Sequence, residues 1–116
     1  MRSINVNDFE IGGPKTYIIA DIGSNHMQDL VLAKESIDAA VEAGANAIKF
    51  QSVNLKKLYY KPTNKTINFI KKLEFPEKWH GLLNEYCSKK GITFFSSPTY
   101  LDSIDLLEEI NVPLYK

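Results

Sequence analysis

The sequence predicts an α/β fold built on a parallel sheet, and three observations carry that prediction. Short apolar runs recur at Tyr17-Ile18-Ile19-Ala20, Ala47-Ile48-Lys49-Phe50 and Ile92-Thr93-Phe94-Phe95, each of strand length. Between them lie stretches whose apolar residues fall three and four apart, the spacing of one helical face. Glycine stands at the end of the first two such stretches, at Gly44 and Gly91, where a left-handed stop belongs. Alternation of this kind calls for right-handed crossovers with helices outside the sheet. An open doubly wound sheet and a closed barrel satisfy it equally.

The elements follow in order. Residues 3–12 alternate loosely through Ile4, Val6, Phe9 and Ile11 around the turn pair Asn7-Asp8, which predicts a small hairpin closed by Gly12-Gly13-Pro14. The run 17–20 predicts a strand covered on both faces. Asp29 can cap a helix whose stripe is Leu30, Ala33, Ile37, Ala40 and Val41. After the second strand, residues 52–75 form the longest irregular segment, with a possible short helix over 67–70. Its six lysines, interleaved with Tyr59-Tyr60 and opposed only by Glu74, read either as a basic loop over the rim or as a plain solvated connection. The next helix spans 76–90 and buries Trp79, Leu82, Leu83, Tyr86 and Cys87, with Pro76 in its first turn. A third helix capped by Thr99 would bury Ile104, Leu107 and Ile110, and a fourth strand begins at Val112-Pro113-Leu114-Tyr115.

Composition narrows the function classes. The 14 basic and 14 acidic side chains among 116 residues leave no basic stripe for nucleic acid. No apolar run approaches a membrane span, and the first residues do not read as a signal peptide. The single cysteine, Cys87, excludes an intrachain disulfide and fits a reducing compartment, so the expected location is cytoplasmic.

In parallel α/β folds the carboxyl ends of the strands carry the site. Past the first strand come Asp21, Gly23, Ser24, Asn25 and His26; the second holds Lys49 and ends in Gln51-Ser52; the third ends in Ser96-Ser97-Pro98; the fourth reaches Lys116. Two lysines and several hydroxyls at one rim can hold a phosphate or carboxylate. Lys49 could equally be an ordinary strand lysine on a wet face, and Asp21 a structural ion-pair partner. Asn25 and His26 could merely hold their loop. Gly23 marks unusual dihedrals or a close approach, and neither a GxGxxG nor a P-loop pattern occurs. His80 is expected on the outer helix, facing away from the strand ends, so that no metal site forms from His26 and His80.

These same residues carry a family resemblance. The segment Tyr17-Ile18-Ile19-Ala20-Asp21-Ile22-Gly23-Ser24-Asn25-His26 resembles the opening strand motif of the N-acetylneuraminate (sialic acid) synthase family. Glu42-Ala43-Gly44-Ala45, Ile48-Lys49-Phe50-Gln51, Lys90-Gly91-Ile92, Ser97-Pro98 and Val112-Pro113-Leu114-Tyr115-Lys116 follow in register. The resemblance implies a TIM (β/α)₈ barrel of which residues 1–116 are the first half. The rest of the barrel and a C-terminal antifreeze-like domain fall outside it. It implies a transferase that condenses phosphoenolpyruvate with N-acetylmannosamine or a related N-acyl amino sugar, giving a nonulosonic acid and phosphate. A divalent metal, Mn²⁺ or Mg²⁺, would have its ligands beyond residue 116, and the full-length protein would be a domain-swapped homodimer. By matching positions, Lys49 and Lys116 would hold phosphoenolpyruvate, Ser97, Asn25 and Gln51 would contact substrate, and Asp21 would act at the reacting centre. Asp21 departs from the pattern, because most relatives carry glutamate there and aspartate is one methylene shorter.

Two rival readings remain: a Schiff-base aldolase with Lys49 or Lys116 as nucleophile, and a noncatalytic anion-binding module. A half barrel would also expose a strand edge and leave 47–50 or its neighbours facing nothing. The 116 residues alone are therefore expected to fold poorly or self-associate.

Overall fold

The computed structural model describes residues 2–116. The chain opens with the expected hairpin, β1 (Ile4–Val6) against β2 (Phe9–Ile11), turning through Asn7 at φ 51°. Three parallel strands follow in the order β3 (Ile19–Gly23), β4 (Ala47–Ser52), β5 (Thr93–Pro98). The connections hold α1 (Leu30–Glu42), two short helices α2 (Leu55–Leu58) and α3 (Asn64–Ile70), and α4 (Trp79–Lys90); α5 (Asp102–Glu109) comes last. The segment 52–75 is therefore more regular than its composition suggests. Asn54 and Thr63 cap its two helices through their side-chain oxygens, and Ile70 and Phe75 are buried.

Sequence logic accounts for the long helices. Asp29 accepts from the N–H groups of Val31 at 2.8 Å and Leu32 at 3.2 Å, a cap that contributes about 1 kcal/mol. α4 ends at Gly91, whose φ of 74° lets the chain turn without a Cβ penalty. Tyr86 donates to both carboxylate oxygens of Asp38, and Lys90 pairs with the same carboxylate at 3.2 Å, which joins α4 to α1.

One core lies between the sheet and the helices. Ile48, Phe50 and Phe94 from the strands pack with Ala33, Ile37, Leu83, Cys87 and Leu107 from α1, α4 and α5, so all three long helices cover the same face. The opposite face presents Ile19 and Asp21 of β3, Ala47, Lys49 and Gln51 of β4, and Phe95 and Ser97 of β5, as the period of two requires.

Several expectations are corrected. β3 begins at Ile19, and it is not covered on both faces: Ile18 and Ile19 are 51% and 42% exposed, Ile19 lying on the face that carries no helix. The central strand is the covered one, with Ala47, Ile48, Lys49 and Phe50 all buried. Thr99 does not cap α5; its hydroxyl donates instead to the carbonyl of Ser52 at 2.6 Å, and the helix starts after Leu101 without a side-chain cap. Leu82 and Ile104 are exposed, since the phase of each helix turns Leu83 and Leu107 inward. Residues 112–116 form no strand ladder. Pro113 lacks an N–H, and the run lies against the open face of the sheet, where Leu114, Tyr115 and Lys116 line a cleft.

Candidate functional site

The parallel register sets Asp21, Lys49 and Phe95 in one row across the open face. Lys49 sits mid-strand on β4 with its side chain only 6% exposed, and its Nζ lies 2.9 Å from Oδ1 of Asp21, which is 57% exposed. It is not a lysine on a wet face. Beyond this ion pair, the Lys49 ammonium has no hydrogen-bond partner among the described residues, although it carries three donors. Leaving such a group dry is costly unless an anion completes it. Asp21 is accordingly an ion-pair partner, and its exposed edge opens to solvent.

A cleft of about 420 Å³ is lined by Ile19, Asp21, Lys49, Phe95, Leu114, Tyr115 and Lys116. The two lysines singled out in the sequence thus share one cavity, although more than sixty residues separate them. One wall is apolar, and charge is confined to Asp21, Lys49 and Lys116. No residue of 52–75 lines it. One of its lysines is engaged elsewhere: Lys57 bonds Asp102, approaches Glu77 at 3.8 Å and lies 5.2 Å from the centroid of the Tyr100 ring.

The remaining candidates sit further toward the strand ends. Gln51 accepts a hydrogen bond from the Ser24 hydroxyl at 3.2 Å, and its register partner Ser97 has a buried hydroxyl with no partner. Gly23 takes φ 57° at a break in the β3–β4 register, and a Cβ there would meet only ordinary contacts at 3.6 Å and beyond. Its role is conformational, not one of close approach. Asn25 is exposed, with its backbone N–H on the carbonyl of Ile22 at 3.0 Å.

Both histidines are buried, and neither faces the cleft. His26 accepts from the N–H of Gln28 through Nδ1 at 3.0 Å, which puts the ring proton on Nε2. That nitrogen is unpartnered, and the ring sits among Phe50, Phe75 and Trp79. His26 therefore holds its loop onto the core. His80 corrects the sequence reading. It lies in the first turn of α4, which follows the carboxyl end of β4, and its Nε2 meets the Ser52 hydroxyl at 2.7 Å. The pattern was visible as His80, Leu83 and Cys87 at i, i+3 and i+7, one buried stripe of α4. Burial also pushes the Cys87 thiol up to about 12, which leaves it inert as a nucleophile.

Burial holds both histidines below their ordinary value, so the unfolded chain binds protons that the folded chain refuses. The stability gained by keeping them neutral is complete above pH ~6.5 and is lost as pH falls through their lowered folded values. The Tm of the intact protein should be level above pH ~7 and decline as pH falls below ~6.5, less steeply in His80→Gln. A level Tm down to pH ~5 would contradict the assignment.

Among the described residues no three His, Cys, Asp or Glu side chains converge. Asp21, already held by Lys49, is the one carboxylate side chain lining the cleft. This donor set does not fit a divalent cation by itself. No described helix is long and apolar enough to cross a membrane.

Comparison with known proteins extends the geometry. The model of the NeuB family matches residues 36–116. N,N'-diacetyllegionaminic acid synthase of Campylobacter jejuni is 36% identical, over 88% of this chain and 34% of its own length. Pseudaminic acid synthase of Helicobacter pylori is 35% identical, over 85% of this chain and 33% of its own. The crystal structure of N-acetylneuraminic acid (sialic acid) synthetase from Leptospira borgpetersenii superposes with a TM-score of 0.89 at 38% identity, covering 98% of this chain and 40% of that one. The chain thus spans about a third of the length of the curated relatives it matches.

Proposed function

Since the chain belongs to the NeuB family, we propose that it forms the first half of the catalytic barrel of a synthase that condenses phosphoenolpyruvate with an N-acyl amino sugar. Placement of all three long helices on one face of the sheet supports the barrel, because a doubly wound sheet would carry helices on both. The curated relatives named above make diacetyllegionaminic or pseudaminic acid, and this supports the substrate class.

The observation that carries the reading is Lys49: a dry ammonium, paired on one side by Asp21, with donors left over in a cleft that Lys116 shares. Phosphoenolpyruvate bears a phosphate and a carboxylate, and two ammonium groups lining one cleft match its charge. In the reaction the enol carbon attacks the sugar aldehyde and forms the new C–C bond, and the aldehyde oxygen takes a proton. Water adds at the carbon bearing phosphate, and the C–O bond to phosphate then breaks. Lys49 and Lys116 hold the anionic groups throughout, and Asp21 fixes Lys49 and accepts a hydrogen bond at the reacting centre. Ser97, Gln51 and Asn25, at the strand ends, contact substrate. The divalent cation that the family resemblance implies would supply polarisation of the aldehyde, with its ligands outside residues 1–116. The intact protein is proposed to be a cytoplasmic homodimer.

Incubation of the intact protein with phosphoenolpyruvate, Mn²⁺ or Mg²⁺ and N-acetylmannosamine or a related N-acyl hexosamine is expected to release one phosphate per nonulosonic acid formed. Absence of phosphate release across the amino-sugar series would refute the reading. A lysine adduct trapped by borohydride would replace it with the Schiff-base aldolase.

A further inference from the structure

A dry polar chain lies behind the strand ends. The Nδ1 of His80 is 2.8 Å from the carbonyl of Glu77, which can only accept, so Nδ1 carries the ring proton. Nε2 of the neutral ring must then accept from the Ser52 hydroxyl at 2.7 Å, and the Ser52 oxygen in turn accepts from the Ser96 hydroxyl at 2.8 Å. The direction of every bond is fixed, from Ser96 to Ser52 to His80 to Glu77. Ser52, Ser96 and His80 are at most 1% exposed, so water supplies none of it. The carbonyl of Ser52 is also held, by the hydroxyl of Thr99 at 2.6 Å and its N–H at 3.3 Å.

Such a chain is expensive to bury, and packing does not demand it. Phe75 meets the His80 ring edge-on with centroids 4.8 Å apart, so an apolar ring would fill the site as well. What the chain adds is position. Ser52 and Ser96 point into the helix layer, and their neighbours Gln51 and Ser97, which are register partners, point to the opposite face. Ser97 keeps an unpartnered hydroxyl there. Resting on the synthase reading above, we infer that His80 is a positioning residue that fixes the carboxyl ends of β4 and β5, so that Gln51 and Ser97 meet substrate from set places. It touches no substrate itself.

The test compares His80→Phe with His80→Gln in the intact protein, by hydrogen-exchange mass spectrometry over 50–53 and 95–99 and by kinetics with phosphoenolpyruvate. The phenylalanine variant leaves the Ser52 hydroxyl without its acceptor, an effect of roughly 10-fold in an equilibrium. It should speed exchange at both strand ends and lower kcat/KM by about that factor. Glutamine, whose side-chain oxygen can accept from Ser52, should recover most of both. If the phenylalanine variant does not fold, Ser52→Ala removes the same link with a smaller change. Unchanged exchange at the two ends, or a lowered Tm with kcat/KM unaltered, would overturn the inference. If the wild type releases no phosphate, the synthase reading falls and exchange alone decides: faster exchange upholds His80 as the holder of the strand ends, and unchanged exchange overturns it.

Discussion

Replacing Lys49 by methionine in the intact protein is expected to lower kcat/KM for phosphoenolpyruvate by at least ~10²–10³-fold, the range seen when one preorganised electrostatic donor is removed. The fold should tolerate the change. Methionine follows the path of the lysine stem, and it removes a charge that is 6% exposed and partnered only by Asp21. Asp21, left alone, is 57% exposed and can be solvated, so no buried carboxylate is stranded. The loss should therefore fall on phosphoenolpyruvate binding and turnover while the denaturation midpoint holds or rises. Steady-state kinetics beside a denaturant titration separates the two. Wild-type kcat/KM in the variant would remove Lys49 from the site. A collapse in stability would mean instead that the Asp21–Lys49 pair is architecture.

The sequence was informative where one local rule governed the outcome. The hairpin at Asn7-Asp8, the Asp29 cap and the Gly91 stop each depend on a few neighbouring residues, and each stands where expected. The rim candidates were legible for a related reason: strand ends follow from strand positions, and the parallel register then sets Asp21 beside Lys49. What local pattern could not supply was helix phase and the use of polar groups across elements. Leu82 and Leu83 are equally apolar, and only packing against α1 and the sheet selects Leu83. Thr99 has the chemistry of a cap, yet a free carbonyl at Ser52 claims its hydroxyl. His80 was expected to face away from the strand ends, whereas its Nε2 accepts from the hydroxyl of a serine 28 positions away at the end of β4. The lysines of 52–75 read as a field over the rim, and Lys57 turns out to be engaged with Asp102 and Glu77.

Phe50→Ala should be among the most damaging single core substitutions, costing about 3–5 kcal/mol of stability. Phe50 is fully buried at the centre of the sheet, with ring neighbours Phe94 at 5.8 Å, Phe75 at 5.6 Å and His26 at 6.2 Å. Three elements therefore lose a shared wall at once: β5, the segment leading into α4, and the loop that carries Asn25. A cavity of that size collapses poorly, because the surrounding rings are held by one another and by the sheet. The site is coupled to it through the backbone, since Phe50 lies between Lys49 and Gln51 on the same strand and faces the other way. A shift of β4 toward the vacated space would draw Lys49 off its row with Asp21 and Phe95, and a displacement near 1 Å can cost ~10²-fold in rate. A lowered denaturation midpoint together with a loss of kcat/KM measured on the folded fraction is the expected result. Phe50→Leu, which keeps most of the volume, should restore much of both. If Phe50→Ala destabilised the protein by less than about 1 kcal/mol, the aromatic cluster would not be the support on which the row of Asp21, Lys49 and Phe95 rests.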